Sequence, residues 1–173
     1  MLTNNYLVLL TGVGLNGVTG TEVTSILGNT HHAVTGNDSN LGLVAKGLGF
    51  AYLTTMWNYT TSETGFSNGI GFGTGTSQPT ENDYNLETPI EASNFDIKAS
   101  SVISAKSKKI VATYNLTNNS TEAVTISEYG YFADVRTSAN SMLHIMLMHS
   151  LFDVPLTIQP GETKTAIVDI SIG

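Results

Sequence analysis

Apolar and polar residues alternate most regularly in the second half of the chain. Phe95, Ile97 and Ala99 predict a half-buried strand over residues 93–99. Ile110, Ala112, Tyr114 and Leu116 fall on one face of a second strand. After the turn cluster Asn118-Asn119-Ser120 come two further strands, over residues 123–127 and 129–133. Residues 142–152 are almost continuously apolar. A strand buried on both faces is the preferred reading there, because residues 154–158 continue the run without a cap and Pro155 would break a helix. Pro160-Gly161-Glu162 is a turn, and residues 163–172 alternate again, with Ala166, Val168, Ile170 and Ile172 set against Thr165, Ile167, Asp169 and Ser171.

The first half is less regular. Residues 1–50 carry short apolar islands at 6–10, 23–27 and 41–44, and Gly12, Gly14, Gly17, Gly20, Gly28 and Gly36 interrupt every candidate helix. Short strands, turns or an extended arm are expected. Residues 48–61 hold aromatic and β-branched residues and read as a strand or a bent pair of strands. Residues 65–79, with five glycines, read as a loop or as a glycine-bulged strand approached closely by another backbone, and a short turn is expected at 83–86. Eight or more short strands separated by Gly, Asn or Pro predict an all-β fold: a single antiparallel β-sandwich or jelly-roll-like domain over residues 1–173, with residues 1–50 as a glycine-rich N-terminal arm and residues 68–173 as the core sandwich.

Composition narrows the function classes. Only 12% of residues are charged, so Asn, Thr, Ser and Gly must carry the polar surface. Seven Lys plus Arg stand against fourteen Asp plus Glu, a formal charge of −7. Such a chain lacks the basic footprint of a nucleic-acid binder. The cluster Lys106, Lys108 and Lys109 reads as a solvated strand entrance. Without cysteine there is no disulfide and no thiolate chemistry. The opening MLTNNYLVLL has no positive n-region and is too short to span a bilayer, so synthesis in a cytoplasm without membrane association is expected.

Candidate chemistry is sparse. Gly12-Val13-Gly14-Leu15-Asn16-Gly17 matches G-x-G-x-x-G, but the β-branched, glycine-broken segment after it does not open the helix that a pyrophosphate site requires. Gly71-Phe72-Gly73-Thr74-Gly75 lacks the lysine of a phosphate-binding loop and reads as a turn with positive φ angles. His31 and His32 are adjacent and His144 and His149 five apart, so within each pair strand geometry sends the two rings to opposite faces. Glu81, Asp83, Glu87 and Glu91 lack dense calcium-loop spacing and read as a solvated loop. Phe50, Tyr52, Trp57 and Tyr59 read as core aromatics, with a sugar-stacking platform as the alternative. No catalytic set, cofactor site or metal site is predicted.

Two stretches together resemble a family pattern. The first is Ile70-Gly71-Phe72-Gly73-Thr74-Gly75-Thr76-Ser77-Gln78-Pro79-Thr80, followed by Asp83 and Leu86. The second opens Ala112-Thr113-Tyr114-Asn115-Leu116-Thr117-Asn118 and runs through Val124-Thr125-Ile126-Ser127-Glu128-Tyr129-Gly130-Tyr131-Phe132, Leu151-Phe152 and Leu156-Thr157-Ile158-Gln159-Pro160-Gly161-Glu162. The order of a G-x-G-T-x-x-P-[ST] loop, a strand ending in T-N, an I-x-E-x-G-[LY]-[FY] strand and a terminal P-G-E hairpin is similar to small structural proteins of tailed bacteriophages and prophages. The match covers residues 68–173. An Arg common in that family shortly before the Phe152 position is replaced here by Met148-His149-Ser150, a departure at a place where the family would carry a charge contact. The resemblance implies a β-sandwich in a virion, made in the host cytoplasm, with no catalytic residues.

The function expected is therefore non-enzymatic: capsid decoration, with the major capsid protein or tail proteins as partners and a homo-oligomeric state. The alternative is a tail, fibre or baseplate component that binds host glycan. Candidate assembly or binding residues are Tyr6, Leu7, Leu9, Trp57, Tyr59 and Phe72.

Overall fold

The computed structural model describes residues 1–5, 19–34, 69–106, 109–136 and 142–171. Among them are eight strands: β1 (Thr19–Thr24), β2 (Thr30–Val34), β3 (Gly69–Gly73), β4 (Phe95–Lys106), β5 (Lys109–Asn118), β6 (Val124–Arg136), β7 (Met142–Ile158) and β8 (Thr163–Ser171). The protein is all-β, and its two main antiparallel sheets, ordered β3-β6-β7 and β4-β5-β8, pack face to face as a sandwich. A separate hairpin joins β1 to β2.

The alternation of β5 and β8 becomes an inward row. Ala112, Tyr114 and Leu116 on β5 and Ala166 and Val168 on β8 are buried, while Thr165, Ile167 and Asp169 point out. Opposite them lie Ile70, Phe72, Tyr131, Ala133, Leu143, Ile145 and Leu147 of the other sheet. Phe72 sits at the centre, edge-on to Tyr114 with ring centroids 5.5 Å apart and stacked on Phe152 at 6.3 Å. Burying side chains of this size contributes about 1.5–3 kcal/mol each.

The predicted strands over 123–127 and 129–133 are one strand, β6, with an irregularity between Ile126 and Glu128. Residues 142–158 form one strand, as Pro155 implied. The proline falls where β7 carries extra residues between its pairings Glu128↔Leu151 and Ile126↔Leu156, so the ladder loses no regular hydrogen bond to it.

The sheet β3-β6-β7 is covered on its second face as well. Phe132 and Met146 emerge there and form a smaller core with Ile26, from the turn after β1, and Leu86. Of the predicted 1–50 arm, residues 1–5 and 19–34 are described, and they lie against the sandwich. Leu2 bridges Met148 on the free edge of β7, the Thr3 N–H donates to Leu147 O, and the Thr3 hydroxyl donates to Met146 O at 2.7 Å. Asn5 exchanges bonds with the Thr24 backbone at 2.8 Å in both directions. Ile26 N–H donates to His144 O.

Candidate functional site

The densest polar cluster lies on that second face, around Glu128. Strand β6 runs Ile126, Glu128, Tyr129, Gly130, Tyr131 and Phe132 through surroundings that leave every one of them buried. A carboxylate in such a run must find donors, because an unpaired buried charge is strongly destabilising. Glu128 finds four. Its Oε1 accepts the N–H groups of Gly75 (3.0 Å) and Thr88 (2.9 Å), and its Oε2 accepts the Glu87 N–H (3.0 Å) and His149 Nε2–H (2.9 Å). The other ring nitrogen of His149 bonds Asp83 Oδ2 at 2.6 Å. Asp83 in turn caps its own turn, accepting the Thr80 N–H and hydroxyl. Glu87 accepts the N–H groups of Thr76 and Ser77 and the Ser77 hydroxyl. The connection from β3 to β4 is thus folded around one buried side chain.

The glycines of this loop are explained by the same contact. A Cβ on Gly73 would stand 2.3 Å from Glu128 Oε1 and 2.7 Å from Thr88 O. One on Gly75 would stand 2.6 Å from the same oxygen. The expectation of positive φ angles is corrected: residues 69–73 form a strand, and of the glycines in that motif none adopts positive φ, which among the described residues falls instead on Gly28, Gly69 and Gly161. These glycines make room for a carboxylate; they do not turn the chain.

Burial alone would lower the pKa of His149, but its bonds to Glu128 and Asp83 outweigh that and raise it above the ordinary 6.5. Burial would raise Glu128 and Asp83. Bonds from His149 and the loop amides hold Glu128 low, and bonds from Thr80 and His149 hold Asp83 low. The arrangement is an ionic staple: a protonated imidazole donates from both nitrogens to two carboxylates. Below its folded pKa both ring nitrogens of His149 are spent on these two carboxylates.

The second buried pair, His144 Nδ1 with Asp134 Oδ1 at 2.6 Å, lies on the same face. That corrects the expectation for His144 and His149. The register of β7 slips between Met146 and Met148, and the extra residue restores both histidines to one face. Among the described residues no group of three or more His, Asp or Glu is arranged to hold a metal ion, and no helix is long and apolar enough to cross a membrane.

Of the sequence-predicted site residues, Tyr6, Leu7, Leu9, Trp57 and Tyr59 lie outside the described residues, as do Phe50, Tyr52 and the G-x-G-x-x-G segment. Phe72 is in the core and reaches no surface. The reading of Glu81, Asp83, Glu87 and Glu91 as a solvated loop holds for the exposed Glu81, Glu87 and Glu91, and is corrected for Asp83, which is half-buried and bonds His149. Sequence reasoning set His149 aside as a metal ligand and quoted Glu128 only within the family pattern, and it missed the pairing of the two. The available signal was a lone acid inside the apolar run 124–133.

No protein-family profile matches the chain, and neither a curated protein nor a solved structure is significantly similar to it.

Proposed function

We propose that this chain is a non-enzymatic structural protein of a tailed-bacteriophage particle: an auxiliary head protein that decorates the capsid and stabilises it through contacts with the major capsid protein and with copies of itself. One observation carries the reading. The two stretches on which the resemblance rests, the Gly73-Thr74-Gly75 loop and the Ile126-x-Glu128-x-Gly130 strand, are more than 50 residues apart in sequence and form a single contact, the loop amide of Gly75 on the Glu128 carboxylate. Their co-occurrence therefore has a physical cause, which supports reading them as one motif.

The chemistry of the site points the same way. The buried acids and the imidazole around Glu128 are saturated by internal bonds, an arrangement that fixes a loop and holds no reactive group in reserve. The surface-facing side chains of β5 and β8 are mostly Thr and Asn, bonded across strands as Thr117 to Thr163 at 2.8 Å and Thr165 to Asn115 at 3.1 Å. Such a weakly charged face suits packing in a symmetric shell.

The test is reconstitution. Capsids assembled without the chain and then incubated with the purified protein should bind it and release their DNA at a higher temperature. Capsids that neither bind it nor gain stability would overturn the assignment to the head.

A further inference from the structure

The turn at residues 80–83 is tied down differently from the chain on either side of it. Before it, Thr76 and Ser77 are held by Glu87. After it, the Asn85 side-chain amide donates to Ile26 O at 3.1 Å, and Leu86 is buried in the smaller core. The turn closes on itself: Asp83 N–H donates to Thr80 O, and the Thr80 N–H and hydroxyl donate to the Asp83 carboxylate. Among the described residues it reaches the rest of the molecule through three hydrogen bonds. The Asn4 N–H donates to Glu81 O at 2.7 Å, the Asn4 side-chain amide donates to Asn82 Oδ1 at 3.0 Å, and Asp83 Oδ2 meets His149 Nδ1 at 2.6 Å. A polar cavity of about 70 Å³, lined by Asn4, Asn5, Thr24, Glu81, Asn82 and Asp83, separates the turn from residues 4 and 5. Packing across that gap therefore adds little to the three bonds.

Residues 1–5 have anchors of their own beneath the turn. Thr3 bonds Leu147 O and Met146 O, and Asn5 bonds the Thr24 backbone and Met146 O. Opening the turn takes both acceptors from Asn4 and leaves Thr3 and Asn5 in place.

The bond from His149 is conditional on a proton. The imidazolium ring donates from both nitrogens, whereas the neutral ring has one N–H and one lone pair. Once the proton leaves, one of the two carboxylates faces a lone pair at hydrogen-bond distance, which is repulsive. Burial decides which one. The Glu128 side chain is 0% exposed, so the remaining N–H stays on it, because an enclosed charge is costly to leave short of donors. The Asp83 side chain is 24% exposed and has water as a substitute. Three further groups surround the site. Glu87 feels the charge of His149 but is spent on Thr76 and Ser77, and on β7 itself His144 is bonded to Asp134. The Met1 amino group attracts Asp83 without a hydrogen bond to it, donating instead to His149 O and the Ser150 hydroxyl.

We propose that the turn at residues 80–83 is a proton-operated latch, closed over residues 1–5 while His149 carries its proton and opened at Asp83 when that proton leaves. Burial would lower His149, but its two carboxylates outweigh burial and raise it above 6.5. The latch is thus closed below that value and opens as pH rises through the folded pKa of His149. Burial would raise Asp83, but its bonds hold it below 3.8, so it stays charged throughout. The device needs no partner and stands apart from the virion reading.

The test is hydrogen exchange on the purified full chain, with each amide measured against its intrinsic rate at the same pH. As pH is raised from below 6.5 to the alkaline side, protection at Asn4 should fall several-fold, ahead of Gly75 and Thr88 on Glu128, while Thr3 keeps its protection. Asp83→Asn should abolish the change, because a carboxamide offers its N–H to the lone pair of a neutral ring and its oxygen to a protonated one. His149→Gln should also hold Asn4 at one level across the range. Protection at Asn4 that is independent of pH in the wild type, or that falls equally in Asp83→Asn, would overturn the latch. So would Thr3 and Asn4 losing protection together, since all of residues 1–5 would then be leaving. A fall that persists in His149→Gln would assign the titration to the Met1 amino group and overturn it as well. If His149→Gln does not fold, Asp83→Asn decides.

Discussion

The two sheets of the sandwich solve the burial problem differently. The sheet β4-β5-β8 has one dry face and one wet face, and its strands alternate accordingly. The sheet β3-β6-β7 is dry on both faces over residues 69–73, 126–134 and 143–149, so polar groups that would elsewhere point to water are enclosed, and Glu128, Asp134, His144 and His149 all have to be paired inside. The first kind of sheet rests on apolar packing and tolerates change on its outer face. The second rests on a few polar contacts that cannot be altered singly.

The largest expected effect breaks the second kind. Glu128→Ala strips three loop amides and His149 of their acceptor, and removing one partner of a buried ion pair costs about 3–5 kcal/mol. Urea unfolding should show that loss. An outer-face change on the other sheet, Asn115→Ala, should stay within about 0.5 kcal/mol of wild type. Equal effects would erase the contrast.

Next comes Gly73→Ala. Its Cβ would collide with Glu128 Oε1 and with the Thr88 backbone, and overpacking of this kind costs about 1–3 kcal/mol. Gly161→Ala separates the two roles of glycine here. It sits at φ 74° with nothing within 4 Å of the added carbon, so only the backbone penalty of about 1 kcal/mol applies. In the double variant Gly73→Ala with Glu128→Ala, the cost of the alanine at residue 73 should shrink, because one of its two collisions is gone.

Acidity sharpens the comparison further. His149 is raised above 6.5, so its contribution is complete below that value and is lost as pH rises through its folded pKa. Glu128 is lowered from 4.5, so its contribution is complete above that value and is lost as pH falls through its folded pKa. The staple is therefore strongest between 4.5 and 6.5 and weakens on both sides. Measured against each amide's intrinsic rate at the same pH, protection from hydrogen exchange at Gly75, Glu87 and Thr88 should fall above this window before that at Ala112 and Tyr114 does. His149→Gln should remove the alkaline limb. An alkaline limb that persists in that variant would place the titrating group elsewhere.

The smallest effect belongs to the surface. Glu87 caps Thr76 and Ser77 from an exposed position. Glu87→Ala should speed exchange of those two amides and leave the unfolding midpoint nearly unchanged.

What could be read from the sequence follows the same division. The alternation of Ala112, Tyr114 and Leu116, and of Ala166 and Val168, states which face of β5 and β8 is inward, because one-sided burial writes a period of two. The strand over 142–158 was legible through Pro155. The second face of β3-β6-β7 was not legible, because a strand buried on both sides carries no alternation. The slip in β7 that brings His144 and His149 to one face depends on one extra residue, which no side-chain pattern announces. Gly73 and Gly75 looked like turn glycines because the carboxylate they accommodate lies more than 50 residues further on. Glu128 was visible only as an acid in an apolar run, a signal that demands a partner without naming it.

The most direct test of the functional reading is the copy number of this chain in purified phage particles, measured by quantitative mass spectrometry against the major capsid protein. The capsid-decoration account predicts a ratio near that of the capsid protein or a fixed large fraction of it. A few copies per particle would move the chain to a tail, fibre or vertex, and absence from the particles would contradict the account.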